Sequence, residues 1–356
     1  MKIVLSRNIT GLTRDITYNT ISKSVDTNCD TFWKDDRVIC LMKYVKMNEY
    51  KRLDLKYKQL LKTLKIEASN ISWGSLLGKQ KIQYKFIKLM DDIGTIDFDE
   101  YSKKHLPNRL KLFERLCNFA YKDEKKRALV YNHNKILTGR ASVERGFNLM
   151  TLKKAERKNL QSMQQGGAII EIDIKSLEPR LYLFLIKNID VEDAYSHLLT
   201  NVLGYAVGDI ERKDIKLAMI SILYGASVHK IRKITKLKTS DIKKIREYLD
   251  VEALQNKVIK EFDEKGYFEN AYGRKIYSKN APVNYYIQST AADFSCLVYE
   301  QLLSKLPEHG INLIGVIHDA IILDVRKDLI NDVLSITSCV EPIINNTAYF
   351  KTERHS

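Results

Sequence analysis

The chain has 356 residues, 44 % of them hydrophobic, and a formal net charge of +15. That length suits two or three domains with real cores, and no apolar run approaches the roughly 20 residues of a membrane-spanning helix. Lys and Arg are spread along the chain rather than gathered in a tail, which points to a globular protein with a polyanionic partner, nucleic acid being the commonest.

The cysteines, Cys29, Cys40, Cys117, Cys296 and Cys339, are odd in number, widely spaced and without a CxxC pair. This argues against a disulfide framework or structural zinc and for reduced thiols. The start, MKIVLSRNIT, has no sustained apolar core and is a poor signal peptide. The expectation is a soluble, cytoplasmic protein.

Residues 1–45 show no strong periodicity. From Lys46 to Ile66, Tyr50, Leu53, Tyr57, Leu60, Leu61 and Leu64 recur at helical spacing, with lysines over the remaining surface. Further helices are predicted near 79–92 and from Asn108 to about Lys122, the last introduced by Pro107. The first 130 residues thus read as helical and basic. Residues 131–167 carry a turn-like segment with Thr138, Gly139 and Arg140, then Gly166 and Gly167.

Ala168–Arg180, AIIEIDIKSLEPR, opens as a β-branched strand with Asp173 inside it. A carboxylate among apolar neighbours is costly unless paired, and a metal ion is one such partner. A turn at Lys175 and Ser176 leads to Glu178 and Arg180. Residues from Val191 to about Tyr277 read as helical and charged. Within them Arg212, Lys216, Ile220 and Tyr224 follow one another at i, i+4, two cations at one end of a stripe and a ring at the other. Gly266–Tyr277 reads as short extended segments joined by turns, with Gly273 and Arg274 at the second. Asn284–Asp293, NYYIQSTAAD, combines amides with small residues that allow close packing. Ile311–Val325, INLIGVIHDAIILDV, reads as a hairpin with His318 and Asp319 at its tip. A closing helix over about Lys327–Val340 and a short strand near Ala348 complete the chain.

If the two apolar strands pair in one sheet, Asp173 and Asp319 meet at its surface. Two hard oxygen ligands suit Mg²⁺, and a pair of ions about 4 Å apart stabilises both the attacking and leaving oxygens of an in-line phosphoryl transfer. Arg212 and Lys216 are placed to hold the charge of departing phosphates. Residue types and placement therefore point to nucleotidyl transfer on a nucleic acid.

These motifs resemble those of the family A (DNA polymerase I type) DNA polymerases. Asp173, Glu178 and Arg180 match D-x-x-x-x-E-x-R of motif A. Arg212, Lys216, Tyr224 and Gly225 match motif B, and His318 and Asp319 match motif C. Thr138-Gly139-Arg140, Gly273-Arg274 and the run Asn284, Gln288, Thr290, Ala291, Ala292, Asp293 match further segments, in order, over about residues 131–340. The resemblance implies an α+β right-hand fold with a palm of antiparallel sheet. A thumb-like region would span 1–130, the palm 131–190 and 280–356, and the fingers 191–279. It implies a template-directed DNA polymerase that adds dNMP to a primer 3′-OH. Two Mg²⁺ ions, or Mn²⁺ in their place, would be held by Asp173, Asp319 and the carbonyl of Ile174. Arg212 and Lys216 would bind the triphosphate, with Lys216 protonating pyrophosphate. Glu178 would crowd the sugar 2′ position, and Ile220 and Tyr224 would contact the nucleotide or templating base. Arg140, Arg180, Asn284, Gln288 and His318 would contact the DNA.

Three positions depart from the family pattern: Ile220, where an aromatic ring is usual; Ala320, where motif C usually continues with Glu; and Pro179 inside motif A. Residues 1–130 show no set of carboxylates for a 3′→5′ exonuclease, so a short, monomeric, non-proofreading form is expected, of the kind encoded by phages or mobile elements. The alternatives are a single-subunit RNA polymerase, against which Glu178 and the QSTAAD run stand, and a non-catalytic nucleic-acid-binding protein that keeps the fold.

Overall fold

The structure is a computed structural model. It describes residues 105–132 and 136–355, together with the backbone of three N-terminal strands, β1 (Lys2–Leu5), β2 (Asp15–Asn19) and β3 (Ser24–Cys29). The helices expected over 46–66 and 79–92 lie outside the described residues. The chain divides into two compact units, Met1–Arg115 with Val130–Asn134, and Leu116–Leu129 with Lys135–Ser356.

In the first unit β1, β2 and β3 form an antiparallel meander, in residues that show no strong periodicity within a 1–130 region read as largely helical. Helix α1 (Leu106–Glu114) buries Leu112 and Phe113, and the Phe113 ring lies 5.1 Å from that of Tyr131. The helix expected to reach Lys122 stops at Glu114. In the second unit Phe119–Tyr121 instead form strand β4, which turns through Lys122 and Asp123 into β5 (Glu124–Lys126). Both turn residues have positive φ, 51° and 64°, the arrangement of a two-residue hairpin whose twist suits the flanking strands. Lys-Asp is not the Asn-Gly or Asp-Gly pair that announces such a turn, so helical periodicity alone carried the expectation too far.

Short strands β6 (Val130–Asn132), β7 (Ser142–Arg145) and β8 (Leu160–Gln161) lead to β9 (Ala168–Ile174), the apolar strand read from the sequence. A helical block follows: α2 (Leu177–Lys187), α3 (Ala194–His197), α4 (Arg212–Leu223), α5 (Val228–Ile234), α6 (Thr239–Leu249) and α7 (Val251–Lys265). Its core is a continuous apolar cluster that includes Tyr182, Leu198, Ile215, Met219, Ile245 and Leu249. Each such side chain contributes about 1.5–3 kcal/mol on burial. The hairpin of β10 (Phe268–Glu269) and β11 (Lys275–Ile276) then leads into α8 (Pro282–Lys305).

The last elements are β12 (Ile311–Ile317), β13 (Ala320–Val325), α9 (Ile330–Leu334), β14 (Ser338–Glu341) and β15 (Asn346–Arg354). The closing helix expected to run to Val340 is therefore one short helix. Cys339 and Glu341 point inward while Ser338 and Val340 face out, the period-two burial of a strand.

The five-stranded antiparallel sheet has the order β12-β13-β9-β15-β14. β9 arrives early in sequence and is clasped between two later hairpins, so the assumption that the Asp173 and Asp319 strands pair is met directly. Alternation sends Ile170, Ile172 and Ile174 to one face and Glu171 and Asp173 to the other. The apolar face is covered by α8, whose Tyr299 stacks on Phe350 of β15 at 6.0 Å. The Tyr299 hydroxyl donates to the carbonyls of Ile172 (2.8 Å) and Asp319 (2.7 Å), pinning both motif strands from below. Among the described residues, no helix is long and apolar enough to cross a membrane.

Candidate active site

The polar face of β9 floors a cleft of about 500 Å³, walled by the first turn of α2 and by α4. Asp173 and Asp319 both line it. The register sets Ala320 directly across from Asp173, and the Ile174 amide donates to the Asp319 carbonyl at 3.1 Å, so the carboxylates sit on adjacent strands one residue out of step. His318 takes positive φ, 54°, and makes the tight tip expected between β12 and β13.

The electrostatics of the pair are unfavourable as it stands. Burial first, then the charges of Asp319 and Glu171, push the Asp173 carboxyl up to about 7, against a smaller pull from Lys154 and Lys351. Burial also raises Asp319. Among the described residues no cluster of three or more His, Cys, Asp or Glu side chains is set to hold a metal ion. The two-carboxylate pair nonetheless fits a divalent cation: two crowded, desolvated acids lack the positive charge that would let both ionise. Glu171, the other acid on this face, is already committed. Burial would raise it, but hydrogen bonds from His355 and Arg157, each 2.6 Å, hold it down at about 2.

On the opposite wall, Arg212 opens α4 and Lys216 follows one turn later. The Arg212 guanidinium makes a two-pronged pair with Asp193 (3.0 and 2.9 Å), reaches Ser176 Oγ at 3.5 Å and lies 4.7 Å over the Tyr195 ring. Asp193 is itself fixed as the N-cap of α3, accepting from the Tyr195 amide. Neither Asp193 nor Tyr195 was picked out from the sequence, although the D-x-Y cap pattern at the helix start was there to be read. Lys216 is exposed and has no hydrogen bond or ion pair among the described residues, which leaves its ammonium open to the cleft.

A third group closes the far end. Glu178 accepts from Tyr224 Oη at 2.8 Å and pairs with Arg140, while Gln288 Nε2 donates to the same tyrosine oxygen at 3.2 Å. Four expected site residues, from the 138–140 turn, α2, the end of α4 and α8, thus form one network. Gly225, at φ 76°, lets the chain turn immediately after Tyr224 and so holds that ring at the cleft. Asn284, one turn before Gln288 on α8, has a buried Oδ1 without a hydrogen-bond partner. Arg140, His318 and Asp319 also border a small cavity against Ala291 and Ala292. Ile220 is partly buried and lines the cleft.

The family model for DNA polymerase family A matches residues 114–349. The chain belongs to DNA polymerase family A. It is 24 % identical over 241 residues to DNA polymerase I of Pseudomonas aeruginosa, a match spanning 57 % of this chain and 26 % of that protein. It is 22 % identical over 194 residues to the thermostable DNA polymerase I of Thermus aquaticus, spanning 46 % and 23 %. The chain thus aligns with about a quarter of the length of these curated relatives. Its fold is similar to the POL domain of Pol1 from M. smegmatis, solved in complex with DNA primer-template and dNTP, with a TM-score of 0.52 and 13 % identity over 89 % of this chain and 68 % of that one. That likeness supports the expected α+β polymerase fold.

Within the family pattern, the structure resolves one departure and moves one residue out of the cleft. Pro179 is the third residue of α2, whose first backbone bond is Arg180 N–H to Ser176 O at 3.0 Å. A proline there lacks only an N–H that would have had no helical partner, so the helix is undisturbed. Arg180, expected at the DNA, is buried. It donates to the carbonyls of Val191 (2.6 Å) and Thr347 (2.5 Å) and lies 4.6 Å over the Tyr349 ring, tying α2 to β15. A seven-residue offset from Asp173 puts it on the inner face of α2, which the motif spacing did not reveal.

The remaining motif residues assemble behind the cleft. Arg274 makes a buried two-pronged pair with Asp293 of α8, at 2.9 and 2.7 Å, and Asn270 donates to the same carboxylate at 2.9 Å. A Cβ on Gly139 would stand 2.6 Å from the Arg274 guanidinium carbon. The Thr-Gly-Arg turn, the Gly-Arg turn and the Asp of the TAAD run are therefore one packing unit, and it positions Arg140 beside Glu178.

Proposed function

We propose that this chain is a template-directed DNA polymerase that adds dNMP to a primer 3′-OH by two-metal-ion nucleotidyl transfer. The observation that carries the reading is the convergence of Asp173 and Asp319 in one cleft with Arg212 and Lys216 on its opposite wall, in a family A chain. Divalent ions held by Asp173, Asp319 and the Ile174 carbonyl would stabilise the charge on the attacking and leaving oxygens. Arg212, pre-oriented by Asp193 and Tyr195, grips the triphosphate, and the uncommitted Lys216 ammonium neutralises and protonates the departing pyrophosphate. Glu178, held by Tyr224 and Arg140, fills the space a 2′-hydroxyl would need. Ile220 supplies apolar contact to the nucleotide, and Tyr224 lies by the templating base. Arg140, Asn284 and Gln288 touch the minor groove near the primer end, and His318 the primer-terminal phosphates. In this reading the five-stranded sheet belongs to a palm of residues 131–190 and 280–356, the helical block is the fingers of 191–279, and 1–130 is thumb-like.

The test is extension of a primed template with dNTPs or NTPs in Mg²⁺. Extension with dNTPs supports the proposal, and preferential use of NTPs favours the RNA polymerase alternative. Binding of primed DNA with no extension in Mg²⁺ or Mn²⁺ leaves a non-catalytic binding protein. Glu178→Ala is expected to raise ribonucleotide use relative to deoxyribonucleotide use by about tenfold or more, because a small steric obstruction is worth about 1–3 kcal/mol of discrimination. An unchanged ratio removes Glu178 from that role. The proposal includes the absence of 3′→5′ editing in this chain, since residues 1–130 offer no carboxylate set for it. The purified protein should leave a mispaired 3′ terminus intact over the time it extends a paired one.

A further inference from the structure

The row of the sheet that holds Asp173 carries an unusual neighbour. Asp173 faces Ala320 on β13 and Lys351 on β15. Directly opposed residues of antiparallel strands share a face, with Cβ atoms about 4.5–5.5 Å apart. An ammonium group is therefore built into the same row as the candidate metal-binding carboxylate, and Lys351 lines the same cleft. Its ion pair on that wall is long and is shared with a second lysine. Glu353 Oε2 is held by Lys154 at 2.6 Å and lies 3.7 Å from Lys351, and the Lys351 side chain is 63 % exposed. Glu171, the next acid on this face, is taken by Arg157 and His355. On the other side of Asp173 the row presents only the methyl group of Ala320. Lys351 also lies beyond residue 349, where the family match ends.

We propose that Lys351 is a specificity-determining residue that weakens divalent-cation binding at the Asp173–Asp319 pair when no nucleotide is present. The ammonium competes for Asp173 and repels a dication placed beside it, while Ala320 adds no compensating negative charge. Metal occupancy of this cleft then depends on the phosphates a nucleotide brings. This inference rests on the reading that the pair holds divalent ions, and the experiment separates the two.

Mn²⁺ binding to the full chain, without nucleotide or DNA, is followed by electron paramagnetic resonance for the unaltered protein and for Lys351→Met, Lys351→Arg and Asp173→Asn. Removing one unit charge beside a dication in this half-exposed setting should tighten Mn²⁺ binding by about three- to tenfold in Lys351→Met. Lys351→Arg, which keeps the charge, should stay within about twofold of the unaltered protein, and Asp173→Asn should remove the site. Equal Mn²⁺ affinity in Lys351→Met and the unaltered protein, with Asp173→Asn still abolishing binding, overturns the role of Lys351 and leaves the metal reading standing. Mn²⁺ binding that Asp173→Asn does not touch, or none at millimolar Mn²⁺ in any variant, overturns both.

Discussion

Asp319→Ala should abolish Mg²⁺-dependent primer extension, by about a thousandfold or more in kcat, while primed-DNA affinity changes by less than about threefold. The large effect follows because charge stabilisation at the reacting phosphate is the greatest single contribution such a site makes. The small effect on DNA affinity follows because Arg140, Asn284 and Gln288, which would hold the DNA, lie on other elements and the substitution leaves His318 in place. A loss of DNA binding equal to the loss of extension would instead mean that the β12–β13 hairpin had come apart. The same pair predicts a stability profile in the metal-free protein. The folded Asp173 carboxyl is raised from its ordinary 3.8 to about 7, so between those values the folded state holds more protons than the unfolded chain. Stability is then fully present below about pH 4 and falls as pH rises through 7. Allowing for partial solvent screening, the loss is about 1–3 kcal/mol. Urea melts in chelator at pH 5 and pH 8 measure it. Asp173→Asn should flatten the slope, and millimolar Mg²⁺ added together with a dNTP should restore stability at pH 8. A slope that survives Asp173→Asn would place its origin elsewhere.

The site was more legible in the sequence than the fold around it, for physical reasons. A carboxylate in a β-branched strand is a local contradiction, so Asp173 and Asp319 announced themselves, and the i, i+4 stripe of α4 could be read from spacing alone. Partners supplied by distant segments could not. Asp193 orients Arg212 from another helix, and Lys351 reaches the row of Asp173 only through sheet register. Arg180 illustrates the reverse: the spacing suggested a ligand contact, and the helix face on which it falls buries it. Pro179 looked disruptive only because the start of α2 was unknown to within a turn. The errors of secondary structure, α1 ending at Glu114 and α9 at Leu334, occurred where apolar residues fit both periods and the turn chemistry carried no glycine or proline signal.

Arg274→Ala should destabilise the second unit by about 3–5 kcal/mol, the cost of leaving a buried carboxylate without its partner. Asp293 is 2 % exposed and accepts two hydrogen bonds from the guanidinium and one from Asn270. With Arg274 gone, the amide of Asn270 cannot neutralise that charge. Arg274→Lys should recover only part of the loss, since a point charge does not reproduce the planar two-pronged contact. Replacing both partners with apolar residues of similar volume should cost less than either single change, because no charge is then stranded. Gly139→Ala probes the same unit from its other side. Its Cβ would meet the guanidinium at 2.6 Å, and Gly139 has φ 75°, where a side chain is strained. Chemical denaturation of the four variants measures these effects, and a loss below about 1 kcal/mol for Arg274→Ala would show that the pair is not what holds the turn. The functional consequence is specific. Arg140 follows Gly139 directly, so loosening this unit should release Arg140 from Glu178 and raise ribonucleotide incorporation toward the level of Glu178→Ala, although neither Arg274 nor Asp293 lines the cleft.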